Sequence, residues 1–305
     1  MNRTSWNRRD VVTAGIAAGV LPGIALSADN LTMINKTIPS SGKSLPVIGL
    51  GTYEIFDVES TPEEIGLRSR IVELLTASGG SLLDTSPMYN RSEKVIGDII
   101  ESGVSREPLF LATKVWTDGQ VSGARQMQRS ADLMHTGVID LMQVHNLRDT
   151  AVHMETIREW QDAGRIRYSG LTHYTASAHA ALGREMAQFK PDFIQVNYSL
   201  GERAAEDRLL PMAAEQGVAV LINRPFQAGR LFAAVSGRAL PEWAQEFAAS
   251  WGQFFLKFII SHPAVTCAIP ATSKIHHMVD NLAAGQGILP DPAMRKRMGD
   301  FFASL

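Results

Sequence analysis

The sequence lacks the residues from which several kinds of site are built. It has one cysteine, Cys267, among 305 residues, so the chain cannot form an intramolecular disulfide. It also has no excess of positive charge, since its formal net charge is −2 at pH 7. A chain without a global basic surface is not expected to bind nucleic acid.

Long apolar runs and low-complexity linkers are missing too. No apolar run of 18 or more residues follows residue 28, so the sequence predicts no stable membrane insertion of the folded domain. No shift in composition divides residues 40–290. A chain of this length can form two small domains or one α/β barrel of about 250 residues, and the missing linker favours the barrel.

The first 28 residues differ from the rest of the chain. The pair Arg8-Arg9 precedes the apolar segment VVTAGIAAGVLPGIALSA, which ends in small residues. This order is typical of an export signal, and the paired arginines resemble the twin-arginine type, although valines stand where phenylalanine or leucine is usual. An amphipathic N-terminal helix is the alternative, but the segment has no polar face and contains three glycines and a proline.

We therefore predict a twin-arginine-like signal peptide at residues 1–28, cleaved after Ser27 or Ala28, and a mature barrel domain at residues 29–305. The implied partner is the twin-arginine export machinery. The implied location is the periplasm, with the protein cytoplasmic before export. Removal of three arginines and one aspartate leaves 26 basic and 30 acidic residues, a net charge of −4.

Short apolar segments rich in β-branched residues alternate with segments of helical periodicity. The predicted strands span residues 45–51, 81–85, 109–115, 139–145, 166–171, 193–198, 218–223 and 265–270. The predicted helices span residues 62–78, 92–102, 121–135, 151–163, 176–187, 203–216, 242–261 and 275–284. Eight such units predict a (β/α)8 TIM barrel, with a doubly wound α/β sheet as the less favoured alternative. Residues 31–43 have a hairpin pattern, which we place at the bottom of the barrel.

Polar and ionisable residues collect at one end of the predicted strands. The strand bodies are apolar, whereas their C-terminal ends carry Thr52-Tyr53, Asp84, Lys114, His145, Thr172-His173, Gln195 to Asn197, Asn223-Arg224 and Thr272. TIM-barrel enzymes place their catalytic residues at that end. The distribution therefore predicts a site there before any motif is considered.

Four of these side chains suit proton transfer to an oxygen atom. Asp84, Lys114 and His145 end three consecutive strands, which lie ~4.8 Å apart, and Tyr89 follows the first of them. A lysine ammonium ~4 Å from a phenol, at an effective dielectric of ~20, favours the phenolate by roughly 4 kcal/mol. We therefore expect Lys114 to lower the pKa of Tyr89, Asp84 to hold Lys114, and His145 to donate a hydrogen bond to a substrate oxygen. Each residue alone has an ordinary explanation as a cap, a solvated strand end or packing, but their joint placement favours the site.

The chain resembles the aldo-keto reductases over residues 36–290. The matching segments are LPVIGLGTY (45–53), LLDTSPMYNRSEKVIG (82–97), LFLATKV (109–115), IDLMQVHN (139–146), GRIRYSGLTHY (164–174), IQVNYS (194–199), RPFQAGRL (224–231) and IPATSKIHHMVDNLAA (269–284). The resemblance implies a catalytic tetrad of Asp84, Tyr89, Lys114 and His145. It also implies reduction of small aldehydes or ketones to alcohols with NADPH, or with NADH, in which Tyr89 gives the proton and the cofactor gives the hydride.

The resemblance implies cofactor-binding residues as well, and here the chain departs from the family. Thr172-His173 stand where Ser-Asn usually holds the nicotinamide carboxamide, and Asn223 stands where an aromatic ring often stacks. His277 stands where an arginine usually binds the ribose 2′-phosphate, and a neutral histidine is a weaker phosphate partner. The expected cofactor-binding residues are Gly51, Thr52, Thr172, His173, Gln195, Asn223, Arg224, Pro225, Thr272, Ser273, Lys274, His277 and Asn281.

Three aromatic residues are expected to bind the substrate: Tyr53, Trp116 and Trp243. They fall in loops above the predicted pocket, where aromatic walls favour apolar or aromatic carbonyl compounds, unless they pack beneath those loops. No metal site is predicted, because the adjacent histidines 276 and 277 have no zinc-binding spacing.

Two other functions could use the same barrel. A nucleotide-binding sensor with little turnover would explain the altered nucleotide contacts but not the intact tetrad. A lyase or aldolase would use Lys114 as a Schiff-base amine, which requires neither Tyr89 nor His145. The reductase hypothesis accounts for all four tetrad residues and is preferred.

Overall fold

The computed structural model describes residues 32–305. The predicted signal peptide at residues 1–28 therefore lies outside the described residues. Within residues 32–305, no helix is long and apolar enough to cross a bilayer.

An antiparallel hairpin begins the described chain, formed by β1 (Asn35–Thr37) and β2 (Ser44–Pro46). Gly42 takes a φ of +71° in the turn, a conformation that glycine adopts without strain. The predicted hairpin is confirmed, but the predicted start of the first barrel strand at residue 45 is wrong. Leu45 belongs to the hairpin and is buried beneath the barrel. Because it is as apolar as the residues of the first barrel strand, the sequence pattern did not show where the hairpin ends and that strand begins.

Eight parallel strands follow and close into a barrel. They are β3 (Leu50–Gly51), β4 (Leu82–Asp84), β5 (Phe110–Val115), β6 (Ile139–His145), β7 (Ile166–Thr172), β8 (Phe193–Asn197), β9 (Ala219–Asn223) and β10 (Cys267–Ala268). Each strand pairs with its neighbour in chain order, and the bridges Ile48–Ala268 and Gly51–Ala271 join the first strand region to the last. The predicted TIM barrel is confirmed, and the alternative of a doubly wound open sheet is wrong.

The hairpin covers the N-terminal end of the barrel. Ile38 and Leu45 pack on a buried cluster inside it. The strands contribute Leu82, Ala112, Leu141, Tyr168, Phe193, Ala219, Leu221, Cys267 and Ile269 to this cluster. The Tyr168 hydroxyl donates a hydrogen bond to Ser41 Oγ at 2.8 Å. This end is therefore filled with side chains, and the C-terminal ends of the strands form the open end.

Helices cover the outside of the barrel. They are α1 (Pro62–Ala77), α2 (Ser92–Glu101), α3 (Gln120–Leu133), α4 (Thr150–Asp162), α5 (His179–Phe189), α6 (Leu209–Gln216), α7 (Arg230–Ala234), α8 (Trp251–Ile260), α9 (Ile275–Ala284) and α10 (Pro292–Ala303). The predicted helix at 242–261 begins only at Trp251, because the extended Ser250 accepts a hydrogen bond from Gln253 N and caps α8. The helices α7 and α10 were not predicted.

Long-range contacts hold α10 against the barrel. Arg295 Nη2 donates to the Tyr198 hydroxyl and to Glu206 Oε1, both at 2.8 Å. The Phe301 ring lies 5.8 Å from the ring of Trp243. These partners are distant in sequence, whereas the start of α10 has a local signal that the prediction missed: Asp291 caps the helix by accepting from Met294 N, and Pro292 is its first residue.

Candidate active site

The polar strand ends meet at the open end of the barrel. Lys114, His145 and Thr172 lie at the C-terminal ends of β5, β6 and β7, and Asp84 ends β4. The parallel register pairs His145 directly with Thr172 and Gly51 with Asp84. Side chains from separate stretches of the chain therefore form one site, as the sequence predicts.

A buried ion pair forms the floor of this site. Lys114 is fully buried, and its Nζ donates to Asp84 Oδ2 at 2.7 Å and to the Thr85 carbonyl oxygen at 2.6 Å. Burial disfavours the ammonium, but the Asp84 carboxylate and the Tyr89 phenol outweigh it, and the pKa of Lys114 is raised. Lys114 is therefore a fixed positive charge, whereas a Schiff-base mechanism requires the neutral amine.

The other carboxylate oxygen of Asp84 is held by two amides. Gln195 Nε2 donates to Asp84 Oδ1 at 2.7 Å, and Gln143 Nε2 donates to the same atom at 3.1 Å. Sequence reasoning missed Gln143. It lies two residues before His145 on β6, so it points to the same face of the strand, and a polar residue at that spacing in an apolar strand was the available signal.

Tyr89 lies above the ion pair. Its ring centroid is 5.0 Å from Lys114 Nζ, 5.1 Å from the ring of Tyr53 and 6.2 Å from the ring of His145. Burial raises the pKa of Tyr89, and the opposing effect of Lys114 does not cancel it. Lys114 acts in the expected direction, but the net shift is upward, because the sequence argument left out the burial of the phenol.

His145 is neutral and faces the same pocket. Burial, followed by the charge of Lys114, lowers the pKa of His145 to about 3. Its Nδ1 lies 3.1 Å from the hydroxyl oxygen of Ser86, a residue that sequence reasoning also missed. A phenol and a neutral imidazole above a fixed ammonium can together donate to the oxygen of a bound carbonyl group.

The ends of β7, β8 and β9 carry a second group of predicted residues. Thr172 Oγ1 and Asn223 Nδ2 donate to Gln195 Oε1 at 3.2 and 3.3 Å. His173 Nδ1 accepts from the backbone nitrogen of Tyr174 at 3.0 Å, so its Nε2 is the protonated ring nitrogen of the neutral histidine. Both polar atoms of the Gln195 amide, Oε1 and Nε2, therefore form hydrogen bonds with protein groups.

Several buried polar atoms in this region have no hydrogen-bond partner within residues 32–305. They are Asn197 Nδ2, Ser199 Oγ and Asn223 Oδ1, at or just beyond the ends of β8 and β9. Buried polar groups in folded proteins are nearly always paired. Of the three residues, Asn223 is partly exposed at the open end of the barrel, so its Oδ1 lies nearest to where a polar ligand would bind.

The predicted phosphate segment lies between β10 and α9. Thr272 Oγ1 accepts from Lys274 N at 3.1 Å, and no side chain caps the first turn of α9, so its backbone N–H groups remain available to an anion. Asn281 is buried in α9, and His277 is exposed at the start of that helix. The bridge between Gly51 and Ala271 brings this segment next to the tetrad.

Gly51 and Thr52 have structural roles beside their predicted cofactor contact. A Cβ on Gly51 would lie 2.9 Å from the Ile269 carbonyl oxygen, so close packing between β3 and β10 requires glycine. The Thr52 hydroxyl donates to the Asp84 carbonyl oxygen at 3.0 Å. Their contact with a cofactor stays a prediction.

The three predicted substrate-binding aromatics separate into two groups. Tyr53 is 56% exposed beside Tyr89. Trp116 follows Lys114 by two residues. The Arg148 guanidinium lies 4.7 Å from the centroid of the Trp116 ring. Trp243 instead packs with Phe247, Phe254 and Phe301 against α8 and α10. Its contact with a substrate stays a prediction, and the unpredicted α10 provides one of its packing partners.

The remaining predicted residues follow β9. Arg224 is exposed and has a φ of +52°, and its guanidinium lies 5.8 Å from the ring centroid of Tyr174. Pro225 is buried beneath it. A cationic side chain at the mouth suits an anionic group of a ligand. Among the described residues, no group of three His, Cys, Asp or Glu side chains is placed to hold a metal ion.

Comparison with known proteins agrees with this geometry. The model of the aldo/keto reductase family matches residues 47–296. The methylglyoxal reductase YeaE of Escherichia coli is 31% identical over 82% of this chain and 89% of its own length. The glyoxal reductase of Bacillus subtilis is 26% identical over 79% of this chain and 83% of its own length.

A solved structure has the same fold. An aldo-keto reductase from Klebsiella pneumoniae, in complex with NADPH, aligns with a TM-score of 0.75 at 24% identity and covers 88% of this chain and 96% of that protein. The family model spans most of the chain and includes all four tetrad positions. The chain therefore belongs to the aldo/keto reductase family.

Proposed function

We propose that this protein is an NADP(H)-dependent oxidoreductase that reduces small aldehydes or ketones to alcohols, with Tyr89 as the proton donor. The observation that carries the proposal is the buried Lys114–Asp84 pair directly beneath Tyr89. A fixed ammonium at this place stabilises negative charge on the phenol oxygen as its proton leaves. The relatives named methylglyoxal and glyoxal reductase support the same class of substrate.

Each tetrad residue has a distinct part in this reaction. Tyr89 keeps its proton at neutral pH, because its pKa lies above the ordinary value, and so it can act as an acid. His145 is neutral and donates an N–H to the carbonyl oxygen, which orients the substrate. Asp84 keeps Lys114 charged and in place.

The residues beyond the tetrad fit a dinucleotide. The unpaired Oδ1 of Asn223, a partly exposed residue at the end of β9, offers a contact to a polar ring substituent. The uncapped start of α9, with Thr272 and Lys274, offers an anion site. When bound, NADPH supplies the hydride that adds to the carbonyl carbon. Tyr53 and Trp116 form aromatic walls above Tyr89, which favour apolar or aromatic carbonyl compounds.

The direct test uses the purified full chain. NADPH and NADH are titrated by fluorescence, and turnover is followed as loss of cofactor absorbance with methylglyoxal and benzaldehyde. Micromolar binding with turnover supports the reductase. Binding without turnover across a broad panel of carbonyl compounds would contradict it and favour the nucleotide-binding sensor.

His277 is expected to make the preference for NADPH over NADH weak. Partial burial, followed by the neighbouring His276, lowers the pKa of His277, so its ring is neutral at pH 7. In His277→Arg, a charge-assisted bond to the 2′-phosphate should raise NADPH affinity about 10- to 100-fold and leave NADH affinity unchanged. Titration of both cofactors measures this change.

His276→Arg is the matched control, because it adds the same charge one residue away on the exposed start of α9. An equal gain in His276→Arg, or an equal gain for NADH, would contradict a specific 2′-phosphate contact.

We also propose that the chain is exported by the twin-arginine route and acts in the periplasm. The supporting observation is the Arg8-Arg9 pair before an apolar segment that ends in small residues. Changing both arginines to lysine keeps the charge and should abolish periplasmic accumulation in cell fractionation, whereas Arg3→Lys should not. Unchanged accumulation of the double variant would overturn the assignment.

A further inference from the structure

Ser86 makes a contact that the roles above do not use. It lies between Asp84 and Tyr89 and is fully buried. Its Oγ lies 3.1 Å from His145 Nδ1 and accepts a hydrogen bond from Met88 N at 3.2 Å. The loop that delivers the proton donor is therefore also tied to the imidazole.

The hydrogen-bond partners of Ser86 determine where the protons lie. Its oxygen already accepts the Met88 N–H, and within residues 32–305 its own proton has one acceptor in range, His145 Nδ1. If Nδ1 carried a proton, the proton of the fully buried Ser86 hydroxyl would have no acceptor within residues 32–305. Unpaired buried donors are strongly disfavoured. Nδ1 is thus the acceptor, and the proton of the neutral ring lies on Nε2.

The other ring nitrogen is free for a ligand. Nε2 of His145 has no partner among the described residues, the side chain keeps 7% exposure, and the ring lies edge-on to Tyr89. The charged form of His145, with both ring nitrogens protonated, is not populated near neutral pH, because its pKa is lowered to about 3. The choice between two neutral tautomers remains, and only one of them presents an N–H to a substrate.

We propose that Ser86 is a positioning residue that holds His145 in the Nε2–H tautomer, so that the imidazole always presents a donor to the carbonyl oxygen. The kinetic part of this inference rests on the proposed reductase function. The tautomer itself does not, and it can be measured in a protein without turnover.

The test is NMR of the full chain labelled with 15N-histidine, because the shifts of the two ring nitrogens distinguish protonated from unprotonated. The chain has eight histidines, and a His145→Asn spectrum identifies the signals of residue 145. The wild type should show an unprotonated Nδ1 and a protonated Nε2. Ser86→Ala should show a mixture of tautomers, and Ser86→Thr, which keeps the hydroxyl, should restore the single one. Met88 is on the surface, so loss of its partner should not prevent folding of Ser86→Ala.

Kinetics provide a second readout. If the chain is a reductase, Ser86→Ala should lower kcat/KM by about three- to tenfold without changing NADPH affinity. Ser130→Ala removes a fully buried serine hydroxyl on α3, on the outside of the barrel, and should change neither readout. A wild-type ring protonated on Nδ1, or a Ser86→Ala ring that stays in one tautomer, would overturn the proposal. If the wild type shows the single Nε2–H tautomer but no turnover, the reductase function is contradicted. The proposed role of Ser86 in holding that tautomer would still stand.

Discussion

Replacement of Tyr89 by phenylalanine is expected to lower kcat for carbonyl reduction by about 10²- to 10⁴-fold, the usual contribution of a general acid. The ring stays, so its contact with Tyr53 stays, and only the proton is lost. NADPH affinity should remain within about twofold, because the expected nucleotide contacts lie on other strands. Stopped-flow or steady-state absorbance measurements and fluorescence titration separate these effects.

Tyr168→Phe is the matched control for this prediction. It also removes one hydroxyl, but at the filled end of the barrel, where the partner is Ser41. Turnover of Tyr168→Phe should equal that of the wild type. Wild-type turnover by Tyr89→Phe would show that another group gives the proton.

The pH profile follows from the same assignment. The pKa of Tyr89 is raised above its ordinary 10, so the acid form should persist as pH rises through neutrality. His145, with a pKa of about 3, does not change charge in that range. The rate of reduction should therefore be flat between about pH 6 and pH 9. A fall centred near pH 7 would indicate a different acid.

The second large effect, on both stability and turnover, is expected from changes to the Lys114–Asp84 ion pair beneath Tyr89. Lys114→Met leaves the buried Asp84 carboxylate with amide donors only, and Asp84→Asn leaves a buried ammonium unpaired. Each single change should lower the free energy of unfolding by about 3–5 kcal/mol, the cost of removing one partner of a buried pair. Both variants should also lose turnover, because each disturbs the charge beneath the phenol.

The double variant Asp84→Asn/Lys114→Met distinguishes stability from catalysis. It buries no unpaired charge, so it should recover most of the lost stability while remaining inactive. Urea denaturation and turnover assays on the wild type, the two single variants and the double variant measure this double-mutant cycle. Recovery of turnover in the double variant would show that the charge of Lys114 is not needed.

The sequence predicted the barrel and the tetrad because both depend on local patterns. Apolar strands with polar C-terminal ends are visible in short windows, and Asp84, Lys114 and His145 each end such a strand. For Gln143 the sequence offered only a polar residue in an apolar strand, and its bond to Asp84, 59 residues away, appears only in the structure. The packing of Trp243 was not predicted either, because one of its partners, Phe301, lies on α10.

The pKa of Tyr89 was misjudged because it depends on how much water reaches the phenol. The charge of Lys114 can be inferred from the sequence, but the burial of Tyr89 becomes visible only in three dimensions. Desolvation and a neighbouring positive charge act in opposite directions on a phenol. Their balance cannot be obtained from the order of residues.

The filled end of the barrel affects how the other end can evolve. Tyr168, Phe193 and the hairpin residues Ile38 and Leu45 supply packing there, away from the strand ends that carry the reaction. Substitutions at the mouth, such as histidine at 277 or asparagine at 223, therefore change ligand contacts with little cost to folding. Selection can thus retune the ligand contacts of this scaffold while the four tetrad positions and the framework beneath them stay constant.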